Sequence, residues 1–467
     1  MKKLFETCYP LDQRCYEQYG LTEDILMENA SLGMAKYIKK HFSSSHSVLI
    51  VAGFGNNGAD GIVLARHLFG FCDVKLYLPF SVKSPMAKLQ LERVQKMAVP
   101  MVEDLEEADI LVDCLFGAGL SRPLDELTQA LVSKMNKHEA FKLSCDIPSG
   151  IDTLGNPSPL AFKADVTITM GALKESLYTD MSKDFVGEVR CVDLGLSRAM
   201  YEMPTQTYLL ETFDMLLPFR KRKNTHKGSF GHLAVIAGEK EGASLLSAMA
   251  SLRFGVGLCT LVGESTSTLP YALMKDRKLP HNTTAIALGM GLGAKWEKLE
   301  EVVDASSPII LDADILHHDS ITTFLEQKER TIVLTPHPKE FVTLYARVFR
   351  EEITIQMLQS NRLAYARAFT KAYPHITLLL KGANSIIAQN AVCYINPHGT
   401  SKLSKGGSGD VLAGLIGALL AQGYKSLEAT LHASLALSAG AKAFKGNDYA
   451  MLPTDLIDEV GRLEPLD

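Results

Sequence analysis

None of the eight cysteines stands in a Cys-x-x-Cys pair, and several, including Cys145 and Cys259, fall inside apolar segments typical of strands. Paired cysteines at short spacing mark structural zinc sites, and dense cysteine frameworks mark small secreted domains. The sequence argues against both. It predicts reduced, buried thiols in a cytoplasmic protein.

Long apolar runs are missing too. Residues Met1–Glu6 lack the apolar core of a signal peptide, and the longest apolar run, Val411–Ala421, is too short to cross a bilayer. The net charge of −5 gives no general reason to expect a nucleic-acid partner. We therefore expect neither a membrane nor a nucleic acid as partner.

The remaining composition describes a folded enzyme-sized chain. Hydrophobic residues make up 46% and charged residues 22%, as in globular proteins. A length of 467 residues exceeds one ordinary core and predicts two or three domains.

The first half alternates short apolar segments with helical ones, which predicts an α/β domain with a parallel sheet. The predicted strands are Val48–Ala52, Val74–Leu78, Ile110–Asp113, Phe141–Asp146, Val166–Met170 and Val189–Val192.

A glycine-rich motif follows the first of these strands. Residues Gly53–Gly61 fit the G-x-G-x-x-G pattern of dinucleotide-binding sites, and Asp73 follows at roughly the distance of a ribose-binding acid. That acid belongs at the end of the second strand, however, and Asp73 precedes that strand. The polar residues Asn56 and Asn57 are also unusual in a loop that approaches a pyrophosphate. A dinucleotide fingerprint is therefore the weaker interpretation.

Oxygen-bearing side chains follow three of the strands. Asn57, Asp113 and Asp146 come at strand ends, with Ser149 just beyond. Ligands of parallel sheets bind outside the carboxyl ends of the strands, so these groups should share one crevice. Amide, carboxylate and hydroxyl oxygens suit a hard cation, and their low charge suits a monovalent one.

These motifs resemble the N-terminal domain of the NAD(P)H-hydrate repair enzymes, over about the first 200 residues. The resemblance implies a Rossmann-like domain that epimerises R- and S-NAD(P)H hydrate, with Asp146 as the acid–base residue in contact with substrate. It implies potassium at Asn57, Asp113 and Ser149. The remaining substrate contacts that it implies are Asn56, Asn57, Gly58, Ala59, Asp60, Gly117, Ala118, Gly119, Leu120, Ser121, Arg122 and Pro123.

A second α/β series begins after residues 197–218, which we predict to be a connector. Its predicted strands end in polar or glycine-rich loops, and the last two form a hairpin turning at Gln389-Asn390. The predicted strands are Leu233–Ile236, Cys259–Val262, Ala285–Leu288, Pro308–Leu311, Ile332–Leu334, Thr377–Leu380, Ser385–Ala388 and Val392–Ile395.

The loop Lys405–Gly409 leads through Asp410 into an apolar helix. Its glycines allow backbone N–H groups to approach an anion, and the helix start would stabilise phosphate charge. Asp410 is placed to accept a proton from a hydroxyl group. The alternative is a helix cap with no catalytic role.

The second half resembles the NAD(P)H-hydrate dehydratase domain, which has a ribokinase-like fold, over residues 212–467. The resemblance rests on the stretches His226–Gly231, Leu311–Asp314, Thr335–Glu340 and Gly406–Leu412. It implies hydrate contacts at Ala243, Gly291, His337 and Asp410, catalysis by Asp410, and adenine-nucleotide contacts at Lys381, Gly382, Ala383, Asn384, Ser385 and Gly409. Ser385 replaces the usual threonine, and Gly399–Lys402 departs from the usual glycine–asparagine segment.

Together these observations predict an epimerase domain over residues 1–211 and a dehydratase domain over residues 212–467. The expected substrates are the hydrates of NADH and NADPH, with ADP as cosubstrate alongside Mg²⁺ and with K⁺ in the first domain. Of ADP and ATP, the family layout favours ADP. We expect a homo-oligomer. The alternatives are a ribokinase-like kinase of a vitamin alcohol, and a non-catalytic N-terminal binding module.

Overall fold

The computed structural model describes residues 1–120, 122–264, 268–293 and 300–465. The chain divides into two compact units, one over Lys2–Thr207 and the other from Tyr208 onwards. Across the described ranges, no helix is long and apolar enough to cross a membrane.

The N-terminal unit is built on a parallel sheet of seven strands in the order β4-β3-β2-β5-β6-β7-β9, with β1 and β8 pairing separately. Its strands are β1 Lys2–Phe5, β2 Ser47–Ala52, β3 Asp73–Tyr77, β4 Met101–Val102, β5 Ile110–Cys114, β6 Phe141–Cys145, β7 Val166–Met170, β8 Leu173–Lys174 and β9 Glu188–Val192. The strand order reverses between β2 and β5. Such a switch point places a ligand crevice at their carboxyl ends.

Helices cover both faces of this sheet, because successive residues of a strand point to opposite sides. In β2, Val48 and Ile50 join the core that also contains residues of α2 and α3. Leu49 and Val51 join the core with residues of α5. The helices are α1 Tyr9–Tyr19, α2 Glu23–His41, α3 Asn56–Leu68, α4 Pro85–Lys96, α5 Glu126–Lys137, α6 Lys183–Val186 and α7 Arg198–Tyr201. The unit is a three-layer, Rossmann-like domain, as predicted.

The C-terminal unit has a sheet in the order β13-β12-β11-β14-β15-β16-β17-β18-β19, parallel through β17 and antiparallel at β18 and β19. Its strands are β11 His232–Ile236, β12 Leu258–Val262, β13 Met274–Asp276, β14 Ala285–Leu288, β15 Ile309–Leu311, β16 Ile332–Leu334, β17 Ile376–Leu380, β18 Ser385–Gln389 and β19 Val392–Asn396, while β10 Thr207–Leu209 lies at the boundary. This is the predicted ribokinase-like α/β fold.

Two features of this unit differ from prediction. The hairpin turns at Asn390-Ala391, both with positive φ, because Gln389 still pairs with Val392 in the ladder. Residues 197–218 are more than a connector, since they contain α7, β10 and a 3-10 turn at Thr212–Asp214.

The helices of the C-terminal unit include a nearly fully buried one, α14, that packs on α8 and α15. They are α8 Glu241–Arg253, α9 Glu300–Asp304, α10 Ile321–Leu325, α11 Pro338–Phe349, α12 Ile355–Ser360, α13 Arg362–Ala372, α14 Ser408–Ala421, α15 Ser426–Ala443 and α16 Pro453–Val460. Because α14 is held by apolar packing along its length, its first turn is a rigid platform.

Candidate active sites

A cleft of about 1150 Å³ opens at the carboxyl ends of the strands in the N-terminal unit. It is slightly larger than a typical ligand pocket, which has a volume of about 300–1,000 Å³. Ten predicted site residues line it: Asn56, Asn57, Asp60, Gly117, Ala118, Gly119, Leu120, Arg122, Pro123 and Asp146. Ser121 lies outside the described residues. Gly58 and Ala59 are buried and do not line the cleft, although both were predicted to contact substrate.

The glycine motif after β2 serves close packing. A Cβ on Gly58 would lie 1.9 Å from the backbone oxygen of Gly53, so no larger residue fits there. Asp73 begins β3, at the end of the strand away from the cleft, and its side chain is exposed. As expected from the sequence, Asp73 is not placed to bind a ribose at this site.

Asp146 follows β6 and has a left-handed backbone with a φ of 67°. Its Oδ1 atom accepts hydrogen bonds from Thr169 Oγ1 at 3.1 Å and from the backbone N–H of Met170 at 3.1 Å. Lys174 Nζ donates to the same oxygen at 2.6 Å. All the hydrogen bonds found for this carboxylate among the described residues go to Oδ1. Oδ2 lies by Gly117, 3.4 Å from where a Cβ on that glycine would be.

Lys174 is a site residue that sequence reasoning missed. Its side chain is only 3% exposed, yet it lines the cleft. Burial alone would lower the pKa of Lys174, but the Asp146 carboxylate outweighs burial and holds that pKa above its usual range. The only signal in the sequence is a lysine directly after the apolar residues of β8.

Asp60 and Asp12 are among the further carboxyl groups that line the same cleft. Burial, followed by the charge of Asp146, raises the pKa of Asp60 well above its ordinary value. Within the described ranges, no hydrogen bond or ion pair is found for the Asp60 carboxyl group. Burial also raises the pKa of Asp12, which accepts a hydrogen bond from Tyr201 Oη at 2.7 Å. The cleft therefore contains both an ion-paired carboxylate and a carboxyl group that favours its protonated form.

Of the predicted cation ligands, Asn57 lines the cleft, whereas Asp113 and Ser149 are buried and do not line it. Asp113 is fully buried; its Oδ1 accepts from Ser149 Oγ at 2.6 Å, and its Oδ2 accepts from the Ser149 backbone N–H at 2.8 Å. The Phe116 carbonyl oxygen is 3.3 Å from Ser149 Oγ. Among the described residues, no cationic side chain pairs with Asp113, and burial raises its pKa to about 6. One carboxylate with neutral oxygens nearby fits a monovalent cation.

In the C-terminal unit, α14 begins at Ser408 after Gly407, which has a φ of 97°. The alternative that Asp410 caps this helix is wrong, because no side-chain cap is formed. Burial, then the charge of Asp312, raises the pKa of Asp410 to about 6, although Lys381 opposes the shift. Within the described ranges no hydrogen bond to this carboxyl group is found. It is thus available to a ligand.

Lys381 and Asp312 form an ion pair beside Asp410. Lys381 Nζ donates to Asp312 Oδ1 at 2.5 Å, and the Asp312 side chain is 2% exposed. A Cβ on Gly409 would lie 3.2 Å from Lys381 Nζ, so glycine lets the first turn of α14 approach the lysine closely. The sequence grouped these loops correctly at one sheet edge, but did not reveal the Lys381–Asp312 pair.

His337 caps α11. Its Nδ1 accepts from the backbone N–H groups of Lys339 and Glu340, which places the ring proton on Nε2, 3.2 Å from Glu340 Oε1. Burial, then the Lys381 charge, lowers the pKa of His337. Burial raises the pKa of Glu340 to about 7. Both ring nitrogens are engaged within the protein, and the half-exposed ring face remains for a ligand.

Ala243 and Gly291 meet at the same edge. A Cβ on Gly291 would lie 3.1 Å from the Ala243 Cβ. Four residues after Ala243, Ser247 Oγ donates to the Asp410 backbone oxygen at 2.7 Å. The middle of α8 therefore contacts the first turn of α14, and Ala243 lies about one helical turn before that contact.

The predicted nucleotide loop, Lys381–Ser385, joins β17 to β18. Buried Arg362 braces it by donating to the backbone oxygens of Lys381 at 2.8 Å and Asn384 at 3.1 Å. Gly399, in the stretch that departs from the usual pattern, approaches closely enough that its Cβ would lie 2.4 Å from the Ala383 oxygen. Gly399–Lys402 therefore still packs beside the Lys381–Ser385 loop, of which Gly382 is a part.

Comparisons with known proteins found matches for both halves of the chain. A family model described as NAD(P)H-hydrate dehydratase matches residues 233–462, and one described as the YjeF-related protein N-terminus matches residues 23–176. The bifunctional NAD(P)H-hydrate repair enzyme of Helicobacter pylori is 41% identical over 482 aligned positions, covering 99% of this chain and 100% of the relative. Its namesake from Archaeoglobus fulgidus is 30% identical over 479 positions, covering 96% of each.

Among solved structures, the ADP/ATP-dependent NAD(P)H-hydrate dehydratase of Bacillus subtilis, co-crystallised with ATP and Mg²⁺, is 26% identical. The similarity covers 54% of this chain and 94% of that one, with a TM-score of 0.45.

The fold and the two carboxylate sites define a two-domain α/β enzyme, with a Rossmann-like unit followed by a ribokinase-like one. The full-length similarity to curated relatives is more specific. The chain belongs to the family of bifunctional NAD(P)H-hydrate repair enzymes. The family and enzyme class predicted from the sequence are confirmed.

Proposed function

We propose that the N-terminal unit interconverts R- and S-NAD(P)H hydrate and that the C-terminal unit dehydrates the S form to NAD(P)H at the expense of ADP. One observation supports this most strongly. Each unit has its own carboxylate, Asp146 or Asp410, at the carboxyl ends of its parallel strands and free to meet a ligand. A vitamin-alcohol kinase would need only the second.

Epimerisation requires chemistry at the ring carbon C6, which carries the hydroxyl group and is bonded to the ring nitrogen. When the nitrogen lone pair forms a double bond to C6, the C–O bond breaks and the hydroxyl leaves as water after taking a proton. Asp60 is the donor we propose, since burial favours its protonated form. Water then adds to the opposite face and gives its proton to Asp146. This is general acid–base catalysis by two carboxyl groups.

Potassium is the cation we propose for Asn57, Asp113 and Ser149. The buried, unpaired charge of Asp113 supports the proposal, because a buried carboxylate needs a compensating cation. Ser149 also donates to Asp113 and accepts from the Phe116 backbone N–H at 2.9 Å. A bound K⁺ would supply positive charge beneath the cleft and hold the loop after β5 in place.

Dehydration begins with phosphorylation of the C6 hydroxyl. Asp410 accepts the hydroxyl proton while the oxygen attacks the terminal phosphoryl group, and AMP leaves when ADP is the donor. Lys381 stabilises phosphate charge, as positioning and charge stabilisation dominate this chemistry. The ring nitrogen then expels phosphate from C6, and loss of a proton from C5 restores the reduced nicotinamide.

The nucleotide site we propose consists of Lys381–Ser385 and Gly409, which adjoin Asp410. ADP enters as its Mg²⁺ complex. The hydrate contacts proposed in this unit are Ala243, Gly291, His337 and Asp410. Those proposed in the other unit are the ten predicted residues that line the cleft, together with Ser121; Gly58 and Ala59 do not line the cleft and are not among them.

Two further proposals concern the setting of the enzyme. All eight cysteines are free, which supports a reducing compartment and hence the cytoplasm. Homo-oligomerisation stays a prediction, for which light scattering on the purified chain is the test.

Recovery of reduced-nicotinamide absorbance tests the proposed function. Purified chain should convert S-NADH hydrate to NADH with ADP, and R-NADH hydrate more slowly by way of the S form. The same comparison with ATP and with the NADPH hydrates ranks the substrates. Failure of absorbance to return with either nucleotide would refute the proposal.

A further inference from the structure

Every hydrogen-bonding position of the Lys174 ammonium group is used inside the N-terminal cleft. Lys174 Nζ lies 2.6 Å from Asp146 Oδ1, 2.9 Å from Thr169 Oγ1 and 3.2 Å from the Met170 carbonyl oxygen. An ammonium group has three protons, so these contacts satisfy it. A lysine held at three points cannot move to follow a substrate.

The same contacts give the two oxygens of the Asp146 carboxylate different surroundings. Oδ1 accepts from Lys174, from Thr169 and from the Met170 backbone. Oδ2 faces the loop at Gly117, which also lines the cleft. One oxygen is thus anchored, and the other is presented to the cleft in a fixed direction.

Other titratable groups surround the pair. Cys8 and Cys191 are the thiols close enough to influence Lys174. Asp12 and Asp60 face the pair from α1 and α3. Burial raises the pKa of each of these four groups above its ordinary value, which shifts all four toward their neutral forms. Among the described residues, Lys174 is the cation that forms an ion pair with Asp146.

From this geometry we propose that Lys174 is the positioning residue of the epimerase site: it holds Asp146 Oδ1 and so fixes Oδ2 toward C6 of the hydrate. The inference rests on the proposed epimerase function and deepens it. Lys174 itself has no spare proton contact for the substrate. The proton of the incoming water goes to Asp146 Oδ2. The C–O bond still breaks and forms through the double bond between the ring nitrogen and C6, as described above.

The test is Lys174→Met, which shortens the side chain by one atom and removes its charge. For conversion of R- to S-hydrate we expect kcat to fall roughly 100-fold or more, with KM changed less than about threefold. Lys163→Met, at an exposed lysine of the same unit, should leave both quantities unchanged.

Dehydration of S-hydrate with ADP is the internal control, since it is assigned to the other unit. It should stay within about twofold of the wild-type rate in Lys174→Met. A wild-type chain that does not interconvert R- and S-hydrate would overturn the proposed epimerase function itself. If the wild-type chain does interconvert them and Lys174→Met does so with a normal kcat, only the positioning role is overturned.

Chemical rescue separates positioning from folding. In Lys174→Ala, added ethylammonium should restore part of the epimerisation rate, while tetramethylammonium, which has no N–H group, should not. If both Lys174 variants lose activity together with thermal stability and neither amine restores it, Lys174 is a structural residue and the proposal is wrong.

Discussion

Replacing Asp410 by asparagine should stabilise the C-terminal unit and at the same time abolish dehydration. The carboxyl group is partly buried beside Asp312, and no hydrogen bond to it is found among the described residues, so its ionised form is disfavoured in the folded chain. Asparagine has the same shape without the charge. It cannot take the proton of the C6 hydroxyl, and we expect a loss of about 100-fold or more in kcat.

The size of the stability gain follows from the pKa of Asp410. Folding raises it from 3.8 to about 6, a difference of about two units, which corresponds to about 3 kcal/mol. Between these pH values the folded chain binds more protons than the unfolded chain, so stability falls as pH rises. The cost is absent below about pH 4 and complete above about pH 6. The advantage of Asp410→Asn should follow the same course.

Calorimetric melting of the wild type and of Asp410→Asn at several pH values measures this. At about pH 8 the variant's C-terminal transition should lie roughly 5–10 °C higher, and near pH 4 the two should coincide. Glu329→Gln, at an exposed carboxylate of the same unit, is the matched control and should shift neither transition. A variant less stable than the wild type at about pH 8, or one that still dehydrates S-hydrate, would refute the reasoning.

Three further changes test other parts of the account. Gly409→Ala should raise KM for ADP about tenfold in steady-state kinetics, because its Cβ would lie 3.2 Å from the ammonium group of Lys381. The control is Gly406→Ala, whose Cβ would meet no atom within 4 Å and which should leave KM unchanged. Gly58→Ala should cost about 3 kcal/mol or more in denaturant unfolding, since its Cβ would lie 1.9 Å from a backbone oxygen, whereas Gly55→Ala meets nothing within 4 Å and should be tolerated. Added KCl should raise the melting temperature of the N-terminal unit relative to tetramethylammonium chloride, and Asp113→Asn should remove that difference; an unchanged response would exclude Asp113 as a potassium ligand.

Much of the fold could be predicted because parallel strands buried on both faces are continuous apolar segments. Every strand predicted from the sequence coincides with an observed one to within a residue at each end. The strands that were missed are short or exposed. β4 and β8 have two residues each, β10 has three and β1 has four, and β13 is exposed along its length.

The candidate sites were predictable to the extent that they lie at the ends of those strands. The ion pairs that shift the pKa values of the site residues were not predictable. Lys174 is 28 residues from Asp146, and Lys381 is 69 residues from Asp312, so each ion pair depends on which strands become neighbours. Asp410 could be read as a cap or as a base, and only the structure shows that Gly407 occupies the cap position.

Short-range backbone features also could not be predicted from the sequence. The predicted hairpin turn was shifted by one residue, because Asn390 and Ala391 both adopt positive φ and alanine rarely does so. Gly58, predicted to contact substrate, is buried, since the close approach of α3 to the end of β2 needs a residue without a Cβ.

The central claim is that two carboxylates in two units carry out successive steps on one damaged cofactor. The most direct measurement follows reduced-nicotinamide absorbance with ADP for separate R- and S-hydrate, using the wild type, Asp146→Asn and Asp410→Asn. Asp146→Asn should convert S-hydrate normally and R-hydrate no faster than spontaneous epimerisation allows. Asp410→Asn should convert neither hydrate to NADH, yet chromatography should show that it still equilibrates the R and S forms. If Asp146→Asn loses S-hydrate conversion, or Asp410→Asn keeps it, the assignment of one step to each carboxylate is wrong.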